Sequence, residues 1–503
     1  MPSSNNVRKV TSENYPTDAG REGELIFRFV YQMAGCTKPV KRLWISSMED
    51  AAIREGFANL CPDSDYDALY QSALCRAKAD WLVGINATRL FSVLYHKTLT
   101  VGRVQTPTLK MLVDRDAKIL RFQKERYYTV GIQSGSLKAD SGRIASMDEA
   151  DTLKNACAGA SAICSSVKRE KKTEQPPKLY DLTTLQREAN RLFGFTAKQT
   201  LDYAQQLYEK KLLTYPRTDS QYLTEDMGQT AQHLVSDLLW LLPFAQGLDL
   251  PPDVGRVLSS KKVSDHHAIL PTAEFAKQGF TGLAESECML MNLVCSKLFC
   301  AVAAPHEYET VTAVLSCAGN EFTAKGKTVL VPGWKEIDQR FRSTLKADTE
   351  EEVLNTLPEL AEGQSFSVTA NVSEHFTSPP KAYTEDMLLS AMERAGAEDM
   401  PEDAERKGLG TPATRAAILE KLVQMGFVQR KGKQLVPTKD GINLAVVLPE
   451  SLTSPVLTAE WENRLTEIAK GNADADEFMA EIVHFSIFFS ISLKEILSCL
   501  IDA

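Results

Sequence analysis

Three short segments of this 503-residue chain gather residue types that act on phosphate esters. The first, Thr17-Asp18-Ala19-Gly20-Arg21-Glu22-Gly23-Glu24, sets its carboxylates just ahead of the apolar run LIFRFVY. Carboxylates at this density can hold a hard divalent cation such as Mg²⁺, which takes oxygen ligands and completes its octahedron with water and phosphate. They serve equally well as the N-cap and dipole complement of a helix that starts there. The second segment, Leu212-Leu213-Thr214-Tyr215-Pro216-Arg217-Thr218-Asp219-Ser220, places an arginine two residues after a tyrosine. A phenol with a pKa of about 10 is a weak nucleophile at neutral pH, so attack on phosphorus needs cationic help, and a guanidinium meets phosphate as a planar fork. The alternative is a turn carrying a packed ring. The third, Ser264-Asp265-His266-His267-Ala268-Ile269-Leu270-Pro271-Thr272, contains two of the seven histidines. Adjacent histidines point different ways on a helix or a strand, so one metal ion does not take both. One imidazole donating to a phosphate is the chemical use, and a surface pair is the alternative.

Further cations lie at Arg76, Lys78 and Arg89 and in the loop Thr100-Val101-Gly102-Arg103-Val104-Gln105-Thr106-Pro107. Such a loop exposes backbone N–H, guanidinium, amide and hydroxyl groups to a phosphate backbone, although solvated charges look the same. The string Lys325-Gly326-Lys327-Thr328 is not a nucleotide loop, because Glu321 stands where the spacing requires glycine. No ATP site follows.

The elements that must position these groups change texture in blocks. Residues 22–120 read mostly as helix, with apolar residues at three- and four-residue spacing through ALYQSALCRAKADWLVGINATRL. Tyr127–Ile144 alternates as strand, a short acidic helix follows, and Ala162–Val167 leads into KREKKTEQPPK, read as a basic exit linker. Thr183–Tyr208, Glu225–Leu242 and Ala284–Ala304 predict helices. Strands return at Glu309–Ser316, Glu321–Thr323, Thr328–Pro332 and Phe366–Val372. The pattern predicts one β domain interrupted by a helical insertion. A last helical block starts at Thr384, and its Thr414–Phe427 segment, with Gly426 near its end and the strand-like QLVPT after it, predicts a winged-helix element.

Composition bounds the rest. The length predicts about three domains, and 43% apolar with 24% charged residues is that of a folded globular chain. With 57 basic against 66 acidic residues the net charge is −9, so no global positive field exists and any nucleic-acid site must be local. The ten cysteines include no C-x-x-C pair, which excludes zinc ribbons and redox motifs. The N-terminal MPSSNNVRKVTSENYP has no signal-peptide core, and the apolar run Phe485–Leu493 is too short to span a bilayer. The expectation is a cytoplasmic protein without membrane contact.

Taken in order, TDAGREGELIFR, RLWISS, RAKADWLVGINATR, TVGRVQTPTL, LLTYPRTDS, DHHAILPT and GLGTPATRAAILEKL resemble the type IA DNA topoisomerases, in their topoisomerase III branch. The resemblance spans nearly the whole chain. It implies a multidomain fold of α/β and mainly helical parts closed into a toroid: a partial TOPRIM domain over 1–63, a helical domain over 64–125 and 383–503 that closes on it and binds single-stranded DNA, a split β gate over 126–195 and 305–382, and a helical domain over 196–304 carrying the catalytic tyrosine. It further implies ATP-independent cleavage by Tyr215 through a 5′-phosphotyrosine, strand passage, and resealing, which relaxes negatively supercoiled duplex DNA or decatenates it. Arg217 and His266 would contact the scissile phosphate, Asp18 and Glu22 would hold Mg²⁺, and Glu22 would join the catalytic group. Arg76, Trp81, Arg89 and the loop Thr100, Val101, Gly102, Arg103, Val104, Gln105 and Thr106 would form the single-strand groove of a monomer.

Two departures from the family pattern set expectations. The family's Asp-x-Asp-x-Glu has glycine at its second aspartate here, as Asp18-Ala19-Gly20-Arg21-Glu22. The residues before Thr17 are polar, whereas the family opens with an apolar strand carrying a glutamate, so the sequence reads as truncated at its front with an impaired acid and metal site. The competing expectation is a catalytically inactive single-stranded DNA-binding remnant. A TOPRIM nuclease or primase is disfavoured because it leaves the Tyr215 and His266 segments without a use.

Overall fold

A computed structural model describes residues 17–45, 50–248, 251–263, 265–345, 356–396 and 408–487. The polar segment 1–16 and most of the late apolar run lie outside them. The acidic segment leads into helix α1 (Arg21–Met33), whose apolar stripe buries Leu25 and Phe27. Two long helices follow, α2 (Asp67–Leu94) and α3 (Gln105–Leu120), joined by the 100–104 loop. Among the described residues no helix is long and apolar enough to cross a membrane.

The β part is a seven-stranded sheet interrupted as the alternation predicts. Its first half is β1 (Arg126–Ser134), β2 (Leu137–Asp140) and, after helix α4 (Met147–Cys157), β3 (Ser161–Glu174). The chain then leaves through helices α5 (Leu182–Phe193), α6 (Ala197–Glu209), α7 (Gly228–Leu241) and α8 (Glu285–Val302). It returns as β4 (His306–Cys317), β5 (Asn320–Val331), helix α9 (Trp334–Ser343), β6 (Ser365–Ser367) and β7 (Thr369–Phe376). The strand order is β6-β3-β4-β5-β2-β1-β7, antiparallel throughout. One face packs on α4 through Val130, Ile132, Ala313, Leu315 and Phe322.

Two sequence expectations change here. KREKK is not a linker: β3 continues through it to Glu174, with Lys168 opposite Thr312 and Glu174 opposite His306. The partner strand that satisfies its backbone lies beyond the whole helical insertion, where local reading cannot find it. The single helix expected over Thr183–Tyr208 is two, because Gly194 takes φ +74° and Thr196 opens a capping box with Gln199.

The inserted helices share one core built on Leu185, Leu207, Leu238, Phe275, Leu298 and Phe299, and Tyr180 of the exit segment joins it. Helices α5 and α9, placed with the β gate by the sequence boundaries, contribute Leu185, Ala189, Ile337 and Phe341 to this helical core. A separate core unites α2 and α3 with the C-terminal block: α10 (Glu385–Arg394), α11 (Pro412–Gln424), the hairpin of β8 (Val428–Lys431) with β9 (Gln434–Pro437), and α12 (Val456–Ala469). Gly426, at φ +75°, turns the chain from α11 into the hairpin, as expected of a winged-helix element.

Glu385 ties this block to the inserted helices. Its buried carboxylate accepts the Ala197 N–H at the start of α6 and two N–H groups of Arg430 in β8. Replacing it with alanine strips the buried Ala197 N–H of its acceptor and leaves Arg430 to Glu420 alone, so Glu385→Ala should cost about 1–3 kcal/mol. Thermal melts should show a transition several degrees lower, and an unchanged melt would refute the tie.

Candidate functional site

The tyrosine loop is a β-like strap pinned at both ends. Leu213 bridges Pro271, the Thr214 N–H donates to Leu270 O at 2.9 Å, and Leu270 N–H donates to Thr214 Oγ1 at 2.9 Å. Farther on, the Leu182 N–H donates to Thr218 O at 3.0 Å, and Thr218 Oγ1 donates to His266 O at 2.8 Å. Strap and histidine loop are thus tied to each other directly. On it the half-buried Tyr215 ring lies 4.3 Å from the His266 ring, centroid to centroid, and meets Tyr208 edge-on at 5.3 Å. Arg217 is exposed beside them. His266 Nε2 is a buried atom that makes no well-formed hydrogen bond, its nearest acceptor being Asp18 Oδ1 at 3.4 Å.

Facing this strap is the acidic loop. Asp18 Oδ1 stands 3.4 Å from His266 Nε2, and the imidazole holds the Asp18 carboxyl below the usual carboxylate range, against the effect of burial. The loop itself is held by Arg42, whose Nη1 and Nη2 donate to Thr17 O at 3.0 Å and Asp18 O at 2.6 Å, while its Nε donates to the fully buried Glu24 at 3.0 Å. Glu24 also takes Arg28 at 2.8 Å. Gly23 lets the loop lie on the helix, since a Cβ there would fall 2.1 Å from Asp18 O.

The two expected Mg²⁺ ligands each face another side chain, Asp18 the His266 imidazole at 3.4 Å and Glu22 Arg76 Nη1 at 3.0 Å. Among the described residues no group of three or more His, Cys, Asp or Glu side chains is arranged to hold a metal ion. Among the described residues, therefore, no Mg²⁺ site is preformed.

The expected groove residues separate into two sets. Trp81 is 63% exposed and with Thr100, Gly102 and Val104 flanks an open groove of about 530 Å³ that Thr414, Ile418 and Lys421 of α11 close on the other side, while Arg89 is exposed but does not line it. The α11 residues were missed by sequence reading, although they lie inside GLGTPATRAAILEKL. The other set points inward. Arg103 is 5% exposed and pairs with Asp80 at 2.8 Å and Glu462 at 3.3 Å while its guanidinium lies 4.9 Å from the Trp461 ring. Val101, Gln105 and Thr106 are buried, with Thr106 Oγ1 accepting the Gly102 N–H at 3.0 Å. Val101, Arg103 and Gln105 still line the groove although mostly buried, whereas Thr106 shapes the loop.

Glu462 in α12 was likewise invisible to sequence reading. It takes Arg21 at 3.0 Å, Arg103 at 3.3 Å and Arg76 at 3.4 Å, and these guanidinium groups keep it ionised despite burial. One carboxylate thus joins the first turn of α1, the groove helix α2 and the loop before α3.

Behind the tyrosine loop, Asp181 caps α5 by accepting the Thr184 N–H at 2.7 Å, and its other oxygen accepts Gln221 Nε2 at 3.0 Å. Burial pushes its carboxyl up to about 6. A carboxyl whose folded pKa exceeds its unfolded value near 3.9 favours the folded state when protonated, so this junction gains stability as pH falls from about 6 to 4. In Asp181→Asn, which keeps an acceptor but cannot titrate, that part of the stability–pH curve should flatten. Denaturation at pH 7, 6 and 5 checks it, and identical pH dependence in both proteins would contradict the assignment.

Comparison with known proteins identifies the family. A family model described as DNA topoisomerase matches residues 64–480. DNA topoisomerase 3 of Bacillus licheniformis is 40% identical over 497 residues, covering 93% of this chain and 67% of that protein. Its counterpart in Bacillus subtilis strain 168 is 39% identical over 488 residues, covering 93% and 66%. The chain thus spans about two thirds of the length of these relatives. Full-length topoisomerase I from Thermotoga maritima superimposes with a TM-score of 0.74 at 25% identity, over 97% of this chain and 78% of that one. With the family matched from the groove helix through the tyrosine loop to the C-terminal block, the chain belongs to the DNA topoisomerases, in the type IA, topoisomerase III-like branch.

Proposed function

We propose that this chain breaks and reseals one DNA strand by transesterification at Tyr215. The observation that supports the reading is the tilted contact of Tyr215 with His266, ring centroids 4.3 Å apart, with the exposed Arg217 beside it, on a strap and histidine loop that face the acidic loop. In the step, Tyr215 Oη bonds to phosphorus, the bond to the 3′-oxygen breaks, and the strand is left with a 5′-phosphotyrosine and a free 3′-hydroxyl. The phenol loses one proton and the 3′-oxygen gains one. One ester replaces another, so resealing by the reverse attack needs no ATP. Arg217 and His266 supply donors to the phosphate oxygens as charge develops there.

The substrate strand runs along the α2–α11 groove, where Trp81 offers a stacking face and Lys421 opposite meets the backbone, with the exposed Arg89 of α2 outside the groove lining. Arg76 and Arg103 serve by holding Glu462 and the acidic loop in place. We read 1–63 as the TOPRIM part, 64–125 with 383–503 as the groove domain, the sheet as the gate, and the inserted helices, including α5, as the tyrosine domain.

Incubated with negatively supercoiled plasmid, the chain should relax it without ATP, and Tyr215→Phe should abolish this, a loss of at least about a thousandfold for removal of a nucleophile. Relaxation that survives in Tyr215→Phe refutes the mechanism. Salt-dependent binding of single strands with no relaxation under any condition would favour the non-catalytic alternative. For the groove, Trp81→Ala should weaken binding of a single-stranded oligonucleotide by about 1–3 kcal/mol. Titrations at several salt concentrations check this, and unchanged affinity would remove Trp81 from the interface.

A further inference from the structure

Gly20 is buried and stands as N-cap of α1 at φ −163°, ψ 175°, an extended conformation open to any residue. Backbone freedom therefore does not explain the glycine. Space does. A Cβ built there would fall 2.2 Å from Asp265 Oδ2, 2.4 Å from Oδ1 and 2.5 Å from Cγ, distances no real contact reaches. The side chain that fills the gap comes from the loop carrying His266, far along the chain and on the opposite side of the site. Gly20 contributes no side-chain cap to α1, whose first-turn N–H groups and positive dipole end favour a carboxylate. The same two loops also meet through Asp18 and His266, at 3.4 Å.

We propose that Asp265 is a positioning residue for cleavage: its carboxylate docks in the space left by Gly20 at the N-terminus of α1 and so seats the His266 and Tyr215 strap on the acidic loop. A side chain at position 20 and the Asp265 carboxylate are mutually exclusive in this space. With glycine there, the carboxylate arrives only when strap and acidic loop come together, which ties assembly of the site to closure of the two parts. The inference rests on the proposed reaction of Tyr215 for its consequence, though not for the contact itself.

A double-mutant cycle tests it. Gly20→Ala adds one methyl and no charge. In the parent it must displace Asp265, and the fraction of a single-stranded oligonucleotide cleaved should fall about ten- to a hundredfold, the scale of an ångström-level misplacement. In an Asp265→Ala background the space is vacant, and the same methyl should cost less than about twofold. Equal losses in both backgrounds, or no loss in either, overturn the proposal. Hydrogen exchange of the amides of residues 21–24 reads the contact without catalysis: it should quicken severalfold in Asp265→Ala, and unchanged exchange overturns the proposal. A parent that fails to cleave while its exchange responds as expected removes the Tyr215 reaction and leaves the docking intact.

Discussion

The constraint on which the rest of this structure depends is the cost of ionising a half-buried phenol. Burial pushes the Tyr215 hydroxyl above its ordinary pKa, Asp18 and Asp265 push the same way, and Arg217 opposes them. Without substrate the nucleophile is therefore a neutral phenol. What the fold supplies instead is position: a phenol ring 4.3 Å from an imidazole and a guanidinium two residues away. In the proposed reaction, charge that is unfavourable on the free tyrosine would be spread over a phosphate held by these donors.

Positioning at this level needs a frame, and the frame is built from buried arginine–carboxylate contacts. Arg42 grips the carbonyls of Thr17 and Asp18 while Glu24 neutralises it, and Glu462 gathers Arg21, Arg76 and Arg103. Such pairs add little net stability over an apolar core, because desolvation offsets the attraction, but breaking one partner is costly and the geometry is unforgiving. Their effect is to fix register between elements distant in sequence: the acidic loop, the groove helix and the C-terminal block. The sheet contributes differently. By spending its strands on both sides of a helical insertion, it holds the tyrosine-bearing helices between two chain crossings, at Glu174 and His306, which are paired to each other in the ladder.

Much of this was legible in the sequence because it is local. Helix periodicity found α2, α7 and α8, the Gly426 stop found the end of α11, and alternation found the interrupted sheet. The chemistry-bearing segments were legible as types and spacings, and the structure brings Asp18, Tyr215 and His266 together. What could not be read were pairings decided by tertiary context. KREKK resembles a linker until β4 returns to pair with it. Arg103 looks like a phosphate ligand until Glu462 and Asp80 take its guanidinium inward. Gly20 reads as a lost carboxylate until Asp265 is seen in its place. In each case the deciding partner lies outside the window in which periodicity or capping acts.

The central claim is that a bond forms between Tyr215 Oη and a strand phosphate. The most direct measurement is mass spectrometry of peptides from the chain trapped by denaturation on a single-stranded oligonucleotide and digested with nuclease and protease. The account expects the peptide spanning Tyr215 to carry a residual nucleotide 5′-phosphate on the phenolic oxygen, with a free 3′-hydroxyl on the released fragment. A covalent nucleotide on any other residue, or cleaved DNA bearing a 3′-phosphate and no protein adduct, would contradict it.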